Sequence, residues 1–152
     1  MENFRLVISK VRTFYKIDKE TKINFIKAYI YSGVARVFII FMPFNRLRKI
    51  MGKYKKESNE IVDVNTHKIA KKIGWAVSEA ARYTPWNSKC LVQALTTQRM
   101  MKEKGISTTI YLGVSKGKDN EMLAHAWIRC GSYIITGGAN KNEYVVVAKF
   151  TN

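Results

Sequence analysis

The sequence predicts an α+β fold, with helices first and an antiparallel sheet after them, on three observations. As far as about Lys104, apolar residues recur at the three-and-four spacing of helix faces. Beyond Gly105 the segments become short, rich in Ile, Val and Tyr, and alternating. Turn residues separate them: Gly117-Lys118-Asp119-Asn120, Gly131 and Gly137-Gly138. A chain of 152 residues that is 47% apolar and 12% aromatic can bury one core without a disulfide framework.

Asp18 is the expected N-cap of the first helix, in which Ile23, Ile26, Ile30, Val34, Val37 and Phe41 mark one face. That helix is expected to dock on the rest of the fold, with a surface-bound amphipathic helix as the alternative. A spanning helix is not expected: the dense run Val37–Met42 is short, and Lys27 and Arg36 interrupt any extension of it. Pro43 ends the helix, because it lacks an N–H and restricts Met42 to extended geometry. Residues 45–60 read as a basic helix end and a polar connector, so the chain divides into a basic helical segment over 1–60 and a core over 61–152. A second helix opens at Asn65 or Thr66, buries Ile69, Ile73, Ala76, Val77 and Ala80, and ends near Tyr83, ahead of Pro85. The third runs from about Ser88 to Lys104 and is closed by Gly105. Strands follow at Ser107–Val114, Leu123–Cys130, Ser132–Thr136 and Glu143–Phe150.

Charge narrows the company this chain keeps without naming it. Lys and Arg number 27 against 11 Asp and Glu, a net +16, and residues 1–56 hold 14 of the basic and 3 of the acidic residues. Such a surface suits nucleic acid, anionic lipid or an acidic protein. Because most of the excess lies in the helical segment, away from the candidate chemistry, nucleic acid is disfavoured and a docking role preferred. Met1-Glu2-Asn3-Phe4-Arg5 lacks the apolar region of a secretory signal, so the expected location is cytoplasmic, with a peripheral position at a membrane as the alternative.

Two residues carry the candidate chemistry. Cys90 falls in the first turn of the third helix, which Ser88 or Asn87 can cap, so backbone N–H groups and the positive end of the helix dipole surround its sulfur. That setting favours the nucleophilic thiolate and offers donors to an oxyanion. The competing reading of Cys90 is a small buried apolar residue. Strand alternation puts His125, Trp127 and Arg129 on one face and Ala124, Ala126, Ile128 and Cys130 on the other. If the His125 face looks toward the Cys90 helix, the imidazole can serve as general base and then acid. Trp86 and Trp127 can wall such a cleft, or be plain core aromatics. Cys130 is expected in the core. Cys90, His125, Cys130 and His67 lack the paired short spacing of a zinc site, so neither metal nor cofactor is expected.

Trp86-x-x-x-Cys90-Leu91, Lys104-Gly105-Ile106, Tyr111-Leu112-Gly113-Val114 and Ala124-His125-Ala126-Trp127 together resemble the transglutaminase-like leader peptidases of lasso-peptide biosynthesis, over about residues 65–150. Pro43-Phe44-Asn45-Arg46-Leu47 resembles the N-terminal portion of the same proteins. The resemblance implies a papain/transglutaminase-like core and a cysteine peptidase that removes the leader from a ribosomally made precursor, with Cys90 as nucleophile and His125 as base. It also implies a separate leader-binding companion protein and a macrolactam cyclase as partners. Family members often place an acidic residue after the histidine strand to orient the imidazole. Residues 129–140 contain none, which leaves Ser132, Thr136 or Asn140 as neutral candidates, or a simple dyad. Two other readings stand beside this one: a thiol acyltransferase, and a basic module for anionic membrane or nucleic acid.

Overall fold

The computed structural model describes residues 18–152, so part of the basic segment expected over 1–60 lies outside the described residues. Helix α1 (Lys19–Phe41) begins where the Asp18 carboxylate accepts from Thr21 N at 3.1 Å and Thr21 Oγ1 at 2.7 Å. It stops as expected at Met42, which is extended ahead of Pro43.

Its orientation differs from expectation. The face that docks is Asn24, Ala28, Ser32 and Ala35, while Ile23, Ile26, Ile30, Val34, Val37 and Phe41 point to solvent. Small side chains on the inner face let α1 lie close to its neighbours. Gly33 lets the Trp86 ring approach, where a methyl group would sit 3.1 Å from it. By length and composition alone the 23-residue helix is also long and apolar enough to cross a membrane, because the whole helix counts and not only its densest run.

Helix α2 (Phe44–Met51) buries Leu47 and Met51. Gly52, at φ +109°, then turns the chain tightly onto Thr151, whose carbonyl oxygen a methyl group there would meet at 2.1 Å. The turn delivers β1 (Lys53–Tyr54), a two-residue strand inside the stretch expected to be connector. Helix α3 (Val64–Ala81) starts slightly earlier than expected, because Asp63 is the cap, accepting from Asn65 N at 2.8 Å and Thr66 N at 3.0 Å. Helix α4 (Cys90–Glu103) ends before Gly105, which is left-handed at φ +71°.

Strands β2 (Thr109–Lys116), β3 (Met122–Cys130), β4 (Tyr133–Thr136) and β5 (Val145–Thr151) join β1 in an antiparallel sheet of order β1-β5-β2-β3-β4. Ile110, Ala126, Ile128, Cys130 and Phe150 face the helices and form one core with Ala28, Ala35, Ile73, Val77, Ala94 and Met101. Each such Ile, Val or Met side chain contributes about 1.5–3 kcal/mol on full burial. Helix α3 presses on β4 at Gly74, where a methyl group would come within 2.7 Å of Ile135 Cγ2. Helices on one face of one antiparallel sheet make the α+β architecture the sequence predicts.

Candidate active site

Cys90 is the first residue of α4. The loop before it is tied by Thr84 Oγ1, which lies 2.7 Å from Ser88 Oγ and donates in the vicinity of the Trp86 and Ala81 carbonyls, each at 3.2 Å. Gln93 adds a clamp, its Nε2 donating to Ser88 O at 2.8 Å. Neither Ser88 nor Asn87 caps the helix. The N-cap position is Lys89, which makes no side-chain capping bond. Leaving the first-turn N–H groups without a side-chain acceptor keeps donors available beside a free, half-buried thiol.

His125 sits on β3 opposite Gly113. Its Nε2 lies 2.8 Å from the carbonyl oxygen of Gly137. A carbonyl only accepts, so Nε2 carries a proton, and in the neutral ring the lone pair is therefore on Nδ1. The ring is flanked by Tyr144 at 4.9 Å and Trp127 at 5.8 Å between centroids, and Trp127 stacks on Tyr111 at 5.6 Å and 8°. Two glycines make this packing sterically feasible. A methyl group at Gly113 would stand 2.8 Å from the Trp127 ring and 2.9 Å from Tyr144 Cβ. One at Gly137 would stand 2.3 Å from Ala126 O, and φ there is +76°.

The imidazole is therefore oriented by a backbone carbonyl. Ser132 lines a separate surface hollow, Thr136 Oγ1 is buried without a partner, and Asn140 is exposed ahead of a short 3-10 turn (Lys141–Glu143). None of the three takes the histidine bond. The sequence offered one signal for Gly137, the pair Gly137-Gly138, which reads as punctuation until the β3–β4 hairpin brings it back beside the histidine, 12 residues on. Of the two tyrosines that complete the aromatic surround, Tyr111 opens the Tyr111-Leu112-Gly113-Val114 motif, while Tyr144 gave no signal of its own.

Alternation along β3 is as expected, but the face turned to the helices is Ala126, Ile128 and Cys130, and His125 and Trp127 line the other. The short link Lys104–Thr108 joins the C-terminal turn of α4 to Thr109, which pairs with Arg129. Helix α4 packs on β3. Trp127 stands beside His125, whereas Trp86 is anchored on α1: its Nε1 donates to Ser32 Oγ at 3.2 Å and its ring meets Tyr29 edge-on at 5.2 Å. Cys130 is buried in the core, and burial pushes its thiol above the ordinary range. His67 packs against Tyr133, away from these residues. Among the described residues no group of three or more His, Cys, Asp or Glu gathers as metal ligands do.

Behind Trp127 a charged cluster fixes the far face of the sheet. Arg129, buried, donates from Nη2 to Glu57 Oε2 and to Ser58 O, each at 3.0 Å, and from Nε to Tyr111 OH at 3.0 Å. Tyr111 OH in turn donates to Glu57 at 2.7 Å, and Lys149 pairs with the other Glu57 oxygen. The Lys149 and Tyr111 hydrogen bonds hold the Glu57 carboxyl below the ordinary carboxylate range, while burial pushes the Tyr111 hydroxyl up. The connector at 57–58 is thereby tied to the residue that stacks on Trp127.

A family model described as the transglutaminase-like superfamily matches residues 34–149. Searches of curated proteins and of solved structures returned no match.

Proposed function

This chain belongs to the transglutaminase-like superfamily, whose members are generally cysteine peptidases or acyltransferases, and from that premise we propose that it is a cysteine peptidase removing the leader of a lasso-peptide precursor. The observation that carries the reading is the His125 hydrogen bond to Gly137 O, which fixes the tautomer with Nδ1 unprotonated and able to accept a proton. Cys90 passes its thiol proton to that nitrogen and attacks the carbonyl of the leader–core bond. The oxyanion is met by the open N–H groups of the first turn of α4. Collapse of the tetrahedral adduct leaves the leader as a thioester on Cys90, and the imidazolium gives its proton to the departing core amine. Water, deprotonated by His125, then hydrolyses the thioester.

Leader capture by a separate companion protein and closure of the freed core by a macrolactam cyclase belong to the same proposal. So does Trp127 as a wall of the substrate cleft. Trp86 supports the site differently, by bracing the Cys90 loop on α1. The uncapped helix start serves an acyl transfer equally well, and product mass separates the two chemistries: hydrolysis leaves a free carboxylate, transfer a new amide.

Cys90→Ala is expected to abolish leader cleavage while the helical circular dichroism is unchanged. His125→Ala should lower kcat by on the order of 10²–10⁴. Persistent cleavage by the Cys90 variant would sink the nucleophile assignment.

A further inference from the structure

We infer that α1 and α2 form a docking face for an anionic lipid bilayer, independent of the chemistry at Cys90. The inference starts from the inverted helix. Ile23, Ile26, Ile30, Val34, Val37 and Phe41 follow one another at helical spacing along nearly the whole of α1, yet every one is at least 43% exposed and Phe41 is 78% exposed. The opposite side already packs on α3 and α4 through Asn24, Ala28, Ser32 and Ala35, so the stripe is not a core face awaiting closure. Phe44 and Ile50 of α2 continue the apolar surface beyond Pro43. Between them and α4 lies an apolar groove of about 370 Å³, with Arg99 and Lys102 among its lining residues.

Charge selects the occupant. Residues 19–51 carry seven Lys or Arg and one acidic residue, Glu20, whose carboxylate pairs with Lys72. Arg46, Arg48 and Lys49 are exposed on the same short helix as Phe44 and Ile50. A second copy of the chain would bring two such cationic faces together at a net charge of +16 each, which opposes self-association. An anionic membrane surface satisfies both halves of the pattern: headgroups meet the basic side chains, and the stripe sinks to the acyl boundary with α1 lying in the interface plane. A helix gripped along its inner side by α3 and α4 lies on the bilayer rather than crossing it.

The test is co-sedimentation of the full chain with vesicles of phosphatidylcholine alone and of phosphatidylcholine with phosphatidylglycerol. Binding is expected to the anionic vesicles, weaker by about tenfold or more on the neutral ones and falling with salt. Ile26→Gln with Ile30→Gln alters only exposed positions, and is expected to reduce binding by about tenfold or more with the circular dichroism unchanged. Arg46→Gln with Arg48→Gln should remove the preference for anionic lipid. The inference is overturned if the chain fails to sediment with anionic vesicles, or if the stripe variant binds them as well as the parent does. A dimer in light scattering that the stripe variant dissociates would also overturn it, assigning the face to a second copy.

Discussion

A single hydrogen is all that Gly113 presents to the Trp127 ring, and the site beside His125 depends on it. A methyl group would meet both that ring and Tyr144 Cβ below 3.0 Å, and neither can swing away without shifting the aromatic stack. Gly113→Ala is therefore expected to cost about 1–3 kcal/mol, as overpacking of a close-fitted core does. Thermal denaturation would register it as a lower Tm, and an unchanged Tm would show that the ring has room to yield. Gly137 works through its backbone. Because its carbonyl carries no charge and does not titrate, acid cannot cancel the alignment it gives the imidazole, as protonation of an orienting carboxylate would. Glycine at 113 was legible in the sequence as part of a motif, but its steric reason was not, since the crowding atoms come from β3 on one side of β2 and from Tyr144, just ahead of β5, on the other.

Helices whose ends are fixed by local chemistry could be read from the sequence, and those whose placement depends on distant partners could not. Asp18 and Pro43 bracket α1 through interactions within a few residues, so both ends were predictable. Its docking side was not. Periodicity identifies an apolar face but says nothing of what that face meets, and here small residues packed against Trp86, α3 and α4 were chosen over Ile and Val. Strand β1 was missed for a related reason: two residues have no period, and only pairing with Phe150 and Thr151 makes them a strand. The sequence likewise suggested a side-chain cap for α4 that is absent, since Ser88 points its hydroxyl at Thr84 and its carbonyl at Gln93. For α3 the cap is real. Asp63→Ala is expected to destabilise the protein by about 0.5–2 kcal/mol and Asp63→Asn by less, measured by urea denaturation. Equal losses for the two would mean that charge rather than the cap bond is what counts there.

The whole molecule is bound together by ties between segments far apart in sequence, and several are carboxylates. Glu57 joins the connector to β2, β3 and β5 through Tyr111, Arg129 and Lys149. Glu103 on α4 holds α1 through Tyr31 and Lys27. Both carboxyls are held below their ordinary value of 4.5, Glu57 chiefly by the Lys149 hydrogen bond and Glu103 chiefly by that of Tyr31. The sign follows from linkage: a depressed folded-state value means stability fully present above about pH 4.5 and lost as pH falls through the lower folded value. Glu57→Gln should flatten that acid limb in a series of denaturation curves at falling pH, and a limb as steep as the parent's would place the linkage elsewhere. The strand order has another consequence, for the growing chain on the ribosome. Strand β5 lies between β1 and β2, so the meander β2-β3-β4 can assemble while one edge of β2 still has no neighbour. That edge stays open, and β1 stays without any partner, until Val145–Thr151 has been made. From the completion of β4 until β5 has been synthesised, the nascent protein carries an unpaired strand of the kind that chaperones cover and other chains can join.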